Sequence, residues 1–179
     1  MSFGGKVALV TGGGAGIGAA TSRLLAERGA AVLVADLNEA AAVDTVASIL
    51  AAGGKTAAFR MDVTDEAQAA AAVAAAEHQF GPLGIAVCNA GITDRIPAMD
   101  MTADAFERIL RTNLTGCFLS AQAAARAMVA HGGAGGSSPS APYPGSSEAP
   151  GGPPMARARA ASSLCLGCWQ WNGPRTASS

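Results

Sequence analysis

The stretch "KVALVTGGGAGIGAATSRLLAERGA", residues 6–30, constrains the fold more than any other feature of the chain. A short run of Val, Ala and Leu has the length and content of a strand buried on both faces. Behind it, Ile17, Leu24 and Leu25 recur at helical spacing among alanines, and Gly29 stands where a helix C-terminus wants a left-handed cap. Between strand and helix lies "TGGGAGIG", Thr11 to Gly18, with Gly12, Gly16 and Gly18 in a G-x-x-x-G-x-G spacing. Glycines here permit positive φ and a close approach of backbone to a pyrophosphate. The helix behind them offers free N–H groups and the positive end of its dipole. A merely tight turn is the plainer reading, but the position between a strand and a helix favours dinucleotide binding.

The pattern repeats. "AVLVAD" reads as a second buried strand, followed by a helix over about 39–52 that "GG" ends. "TAAFRMDV" is a third strand, "DEAQAAAAVAAAEHQF" a third helix with acids in its first turn, and "IAVCNAG" a fourth strand. A long helix then covers about 102–130. Alternation at this spacing predicts an α/β fold, a doubly wound parallel sheet with helices on both faces. Right-handed crossovers put the first four strands in the order 3-2-1-4. A flavodoxin-like arrangement is the alternative that the loop chemistry disfavours.

Asp36 ends the second strand, eighteen residues beyond Gly18. A carboxylate there accepts both ribose hydroxyls of an adenosine and repels a 2′-phosphate, so the expected cofactor is NAD, with NADP disfavoured. An N-cap for the next helix is the competing role. Asp62 and Val63 suit an adenine edge and face, while Asp62, Thr64 and Asp65 compete for the cap of the third helix. Asn89 to Gly91, "NAG", suits close backbone approach to a ribose, or a plain strand-to-loop turn.

Composition breaks near residue 131. Of nine Pro only Pro82 and Pro97 precede it, and the front carries nine basic and twelve acidic residues against Arg157, Arg159, Arg175 and Glu148 behind. Residues 1–131 are therefore read as one nucleotide-binding domain, and 132–179 as a Gly/Pro/Ser-rich tail expected to be disordered. A net charge of −1 implies no nucleic-acid or anionic-membrane partner. No apolar run approaches the length of a membrane helix, and the start lacks the basic region of a signal peptide. Cys88, Cys117, Cys165 and Cys168 stand at no framework spacing, which fits reduced thiols and a cytoplasmic setting. "CLGC" at 165–168 lacks the second pair a metal site needs, so no metal is expected.

Taken together, "TGGGAGIG", Asp36, "DV" at 62–63, "CNAG" at 88–91 and "RTNLTGCF" at 111–118 resemble the short-chain dehydrogenase/reductase family in its common non-extended form, over residues 4–131. The resemblance implies a Rossmann-like sheet, here truncated after the fourth strand and its following helix. It implies a cofactor site built from Thr11, Gly12, Gly16, Ile17, Gly18, Asp36, Leu37, Asp62, Val63, Asn89, Ala90 and Gly91, with Thr11 and Asn89 tying the loop to the sheet. Asn113 matches the family's catalytic Asn, which holds a water in a proton relay. Cys88 and Gly84 depart from the usual Asn and Asp. Members move a hydride between a nicotinamide dinucleotide and a small alcohol or carbonyl compound, and are usually homo-oligomers.

The family's Ser and Tyr-x-x-x-Lys should follow Asn113 within about fifty residues. They do not: the one Tyr, Tyr143, is flanked by prolines and has Ser147 four residues on, and the only Lys are Lys6 and Lys55. Regrouping the tail's codons by one base forces Gly across Met155/Ala156, Ala across Trp169/Gln170 and Glu across Trp171/Asn172. It permits a Tyr followed by Gly-Ala-Ser-Lys, with a Ser thirteen positions earlier. The tail is thus expected to be the family's catalytic segment in a shifted frame, the shift falling among residues 132–136. Two functions follow: an NAD-dependent alcohol/carbonyl oxidoreductase whose catalytic end is missing from this chain, or a non-catalytic nucleotide-binding or interaction module. Without further strands, "IAVCNAG" is expected to be a bare apolar edge, and Phe106, Ile109, Leu110 and Met128 to lose packing partners.

Overall fold

A computed structural model describes residues 2–132 and 167–170. The elements are β1 (Val7–Thr11), α1 (Gly16–Glu27), β2 (Ala31–Asp36), α2 (Glu39–Ala51), β3 (Lys55–Arg60), α3 (Glu66–Phe80), β4 (Leu83–Cys88), α4 (Ala103–Leu110), a π-helical segment (Arg111–Gly116), α5 (Cys117–Gly132) and β5 (Gly167–Gln170). The sheet order is β3-β2-β1-β4-β5, and β1 to β4 are mutually parallel, as the alternation requires.

β1 is buried at every position, which is why it carries no polar alternation. The sheet separates two cores. Leu9, Leu33, Met61 and Val73 pack on one face with Met128 of α5. Val10, Val32, Val34 and Ile49 pack on the other with Leu25 of α1. Three helix starts have a side-chain cap. Asn38 caps α2 by accepting from Ala41 N–H, Asp65 caps α3 by accepting from Ala67 and Gln68 N–H, and Thr102 caps α4 by accepting from Ala105 N–H. The cap roles weighed for Asp36 and Asp62 therefore fall to their neighbours.

Three features differ from the sequence expectations. The long helix is interrupted at Arg111–Gly116 by a π turn, where Thr112, Asn113, Thr115 and Gly116 cluster, all weak helix formers. Gly116 there sits against Val63, so closely that a Cβ would stand 2.6 Å from its Cγ2. Met128 is buried at 4% exposure rather than stripped of partners, because α5 packs on α3 and the sheet, whereas Phe106 and Leu110 are exposed and Ile109 is half-buried. And β4 is not a bare edge: Gly167–Gln170 pairs antiparallel along Ile85–Cys88. Unpaired N–H and C=O groups on such an edge are a template for any extended segment within reach. The rest of the tail, with its expected disorder and Cys165, lies outside the described residues. No helix among the described residues is long and apolar enough to cross a membrane.

Candidate functional site

The carboxyl ends of the parallel strands open into a cleft of about 850 Å³. Its walls come from each strand-to-helix loop in turn: Gly12, Ala15 and Gly16 after β1; Asp36, Leu37 and Asn38 after β2; Met61 to Thr64 after β3; Asn89 to Ile92 after β4; then Arg108, Arg111 and Thr112. A cleft outside the strand ends is where open parallel sheets bind ligands.

The glycine loop is shaped by exclusion. Gly12 has φ +63°, and a Cβ on it would stand 2.7 Å from Ala90 Cα. Gly18 leaves no room either, since a Cβ would overlap the carbonyl oxygen of Gly12. Gly16 has φ +51° and nothing within 4 Å of where its Cβ would be, so it faces open space. Ala15 at the N-cap of α1 offers no side-chain acceptor, and the first turn holds no acid. The N-terminal N–H groups of α1 therefore have no side-chain acceptor at the cap.

Thr11 and Asn89 lie behind this loop and hold it. Thr11 Oγ1 accepts from Asn89 and Ala90 N–H at 3.1 and 3.2 Å, and Asn89 Nδ2 donates to the carbonyls of Thr11 and Gly12 at 3.3 and 3.1 Å. The lashing expected of this pair is what the geometry contains. Asp36 Oδ2 accepts from Gly14 N–H and Oδ1 from Asn38 N–H, both at 2.9 Å, so the carboxylate is preset at the mouth of the loop. Asp62 Oδ1 accepts from the N–H and hydroxyl of Thr64 at 2.9 and 2.8 Å.

Asn113 stands in the π turn. Its Oδ1 accepts from Ile92 N–H at 2.8 Å and its Nδ2 donates to Ile92 C=O at 2.9 Å, so both ends of the amide hold the exit of β4. Arg108 is paired with Asp94 across the same loop. Beside the cleft, the Asp65 carboxyl is held below the ordinary carboxylate range, chiefly by the backbone N–H of Gln68, then by the Gln68 side chain, with burial opposing.

Of the residues expected from sequence, Gly12, Gly16, Asp36, Leu37, Asp62, Val63, Asn89, Ala90 and Gly91 line the cleft. Thr11, Gly18, Ile17 and Asn113 are not among the lining residues: the first two buttress it, Ile17 is 64% exposed, and Asn113 is spent on Ile92. Sequence reasoning missed Ala15, Asn38, Met61, Thr64, Ile92, Arg108, Arg111 and Thr112. Of these, Ala15 lies within "TGGGAGIG", Arg111 and Thr112 within "RTNLTGCF", and Thr64 among the cap candidates, but none was singled out as a site residue.

A family model described as short chain dehydrogenase matches residues 6–137. The cis-4-hydroxycyclohexanecarboxylate dehydrogenase of Sinomonas cyclohexanicum is 45% identical over 133 residues, 73% of this chain and 53% of that protein. The 4-formylbenzenesulfonate dehydrogenase TsaC1/TsaC2 of Comamonas testosteroni is 47% identical over 125 residues, 69% of this chain and 50% of that one. A crystal structure of a short-chain type dehydrogenase/reductase from Mycobacterium marinum superposes with a TM-score of 0.71 at 43% identity, covering 73% of this chain and 53% of that one. The chain thus spans about half the length of the relatives it matches.

Proposed function

Because this chain belongs to the short-chain dehydrogenase family, an oxidoreductase family, we propose that residues 1–131 are the NAD-binding domain of an alcohol/carbonyl oxidoreductase. The observation that carries the reading is the cradle at β1. Gly12 and Gly18 admit no side chain, α1 starts uncapped, and Asp36 waits one loop away. Gly12, Gly16 and the N–H groups up to Ile17 and Gly18 receive the pyrophosphate. Asp36 takes the adenosine ribose hydroxyls, with Leu37 beside it, and its charge turns away a 2′-phosphate. Asp62 and Val63 meet the adenine, and Asn89, Ala90 and Gly91 lie along the second ribose, with Thr11 holding them in place. Bound NAD supplies the hydride acceptor. Asn113 contributes by fixing the Ile92 backbone at the reacting end of the cleft. The substrate of the whole enzyme is a small alcohol or carbonyl compound, and the setting is the reducing cytoplasm, which suits the free thiols of Cys88 and Cys117.

The second reading, a nucleotide-binding module without turnover, is favoured for this 179-residue chain by its tail, where the only Tyr sits between prolines and no Lys follows Lys55. Titration of the chain with NAD and NADP tests the first reading: NAD binds tighter, and Asp36→Ala narrows the gap. Tighter NADP binding by the unmodified chain refutes it. An assay of NADH formation on ring and open-chain secondary alcohols tests the second. General acid/base groups typically contribute about 10²–10⁴-fold, so no measurable turnover is expected; robust NADH formation would exclude a non-catalytic chain. The shifted frame is supported by the family match ending at residue 137, within the tract where composition breaks. Sequencing the coding DNA tests it, and an uninterrupted frame with similar tails in related genes sinks it.

A further inference from the structure

Arg111 was not expected in the cleft, yet it lines it. It belongs to the π turn, which is held at two points. Gly116 is pressed on Val63 at the exit of β3, and Asn113 is bonded to Ile92 at the exit of β4. Arg111 therefore stands over the slot between those two strand ends. Among the described residues, no hydrogen bond or ion pair engages its guanidinium, whereas the other cleft arginine, Arg108, is taken by Asp94. The slot itself is half built. Val63 and Ala90 offer aliphatic surface, and Asp62 uses Oδ1 on Thr64 while Oδ2 has no partner among the described residues. A planar base with an exocyclic amine fits this pair of features. Such a base still needs a cover on its outward face, and a guanidinium plane stacks on purines. Phosphate is a poorer match for Arg111, because the anion seat lies on the β1 loop and the uncapped start of α1.

We propose that Arg111 is a cofactor-binding residue whose guanidinium lies flat on the adenine held against Val63 and Ala90. The inference rests on the nucleotide-binding reading above and adds a contact to it. The test is calorimetric titration of the full 179-residue chain, and of its Arg111→Ala and Arg111→Lys variants, with NAD and with ADP-ribose at low and high salt. Because Arg111 is exposed and unpaired, both variants fold as the parent does, which a melt verifies. Stacking predicts that both variants weaken ADP-ribose and NAD by the same factor, roughly 3- to 30-fold, with little salt dependence. Unchanged affinity in Arg111→Ala overturns the proposal. So does full recovery in Arg111→Lys with a steep salt dependence, which is the mark of a phosphate contact. Failure of the unmodified chain to bind either ligand is a different result, and overturns the nucleotide-binding reading as a whole.

Discussion

Gly18→Ala separates a steric requirement from a conformational one. Helix propensity alone makes the change favourable by about 1 kcal/mol, because Gly18 lies inside α1. The neighbourhood reverses the sign. An added Cβ overlaps the Gly12 carbonyl oxygen and would stand 2.5 Å from Asn89 Nδ2 and 2.8 Å from the Gly12 carbonyl carbon. Two of these three atoms are backbone, in a loop lashed by Thr11 and Asn89, so the overlap belongs at the upper end of the 1–3 kcal/mol usual for overpacking, about 3 kcal/mol. Moving Asn89 also breaks its bond to Gly12, worth about 1 kcal/mol. The net cost is about 3 kcal/mol, a large part of the ~5–15 kcal/mol that holds a domain folded. Urea titration followed by circular dichroism should show the midpoint falling by roughly 1–2 M, and NAD affinity should fall with it because the cradle is displaced. Gly16→Ala is the control: with φ +51° and open space ahead, it carries only the left-handed penalty of about 1–2 kcal/mol. A Gly18→Ala protein as stable as the parent, or more stable, would refute the close-packing argument and leave propensity in charge.

Two further outcomes follow from the same geometry. Asn113→Ala removes both bonds to Ile92 and should cost about 1–2 kcal/mol; native-state hydrogen exchange should report lost protection at the Ile92 amide, and unchanged protection there would disprove the tie. Asp65 has a depressed folded pKa, so its stabilisation is complete above the ordinary carboxylate range and is lost as pH falls through the lowered value. The urea midpoints of the parent and Asp65→Ala should therefore differ at neutral pH and converge in acid; a gap that widens in acid would reverse the sign assigned to Asp65.

Much of the fold was legible because its signals are local. A strand covered on both faces has no polar alternation, so "VALVT" and "AVLVAD" announce themselves, and Gly29, Gly53–Gly54 and Gly81 mark where the first three helices stop. The glycine spacing was legible for the same reason, although only Gly12 and Gly16 take positive φ, while Gly18 is required by its packing against Gly12 and Asn89. Other parts could not be read. Asp62, Thr64 and Asp65 lie within four positions and share cap chemistry, and only the path of the chain into α3 selects Asp65. The four residues of β5, "GCWQ", carry no strand period; they are a strand because β4 offers them an edge.

By itself the sequence determined the alternation of strand and helix, the strand order, the spacing of the glycines and the position of Asp36, because each depends on residues close together in the chain or on the handedness common to all crossovers. The tertiary structure alone decided that Asn113 spends its amide on Ile92, twenty-one residues away, that the π turn rests on Val63, and that Arg111 thereby lines the cleft. Those contacts join the exits of β3 and β4, which are far apart in sequence. No period or spacing encodes them, since they exist only once both strands lie in one sheet and the helix after β4 has packed across their ends.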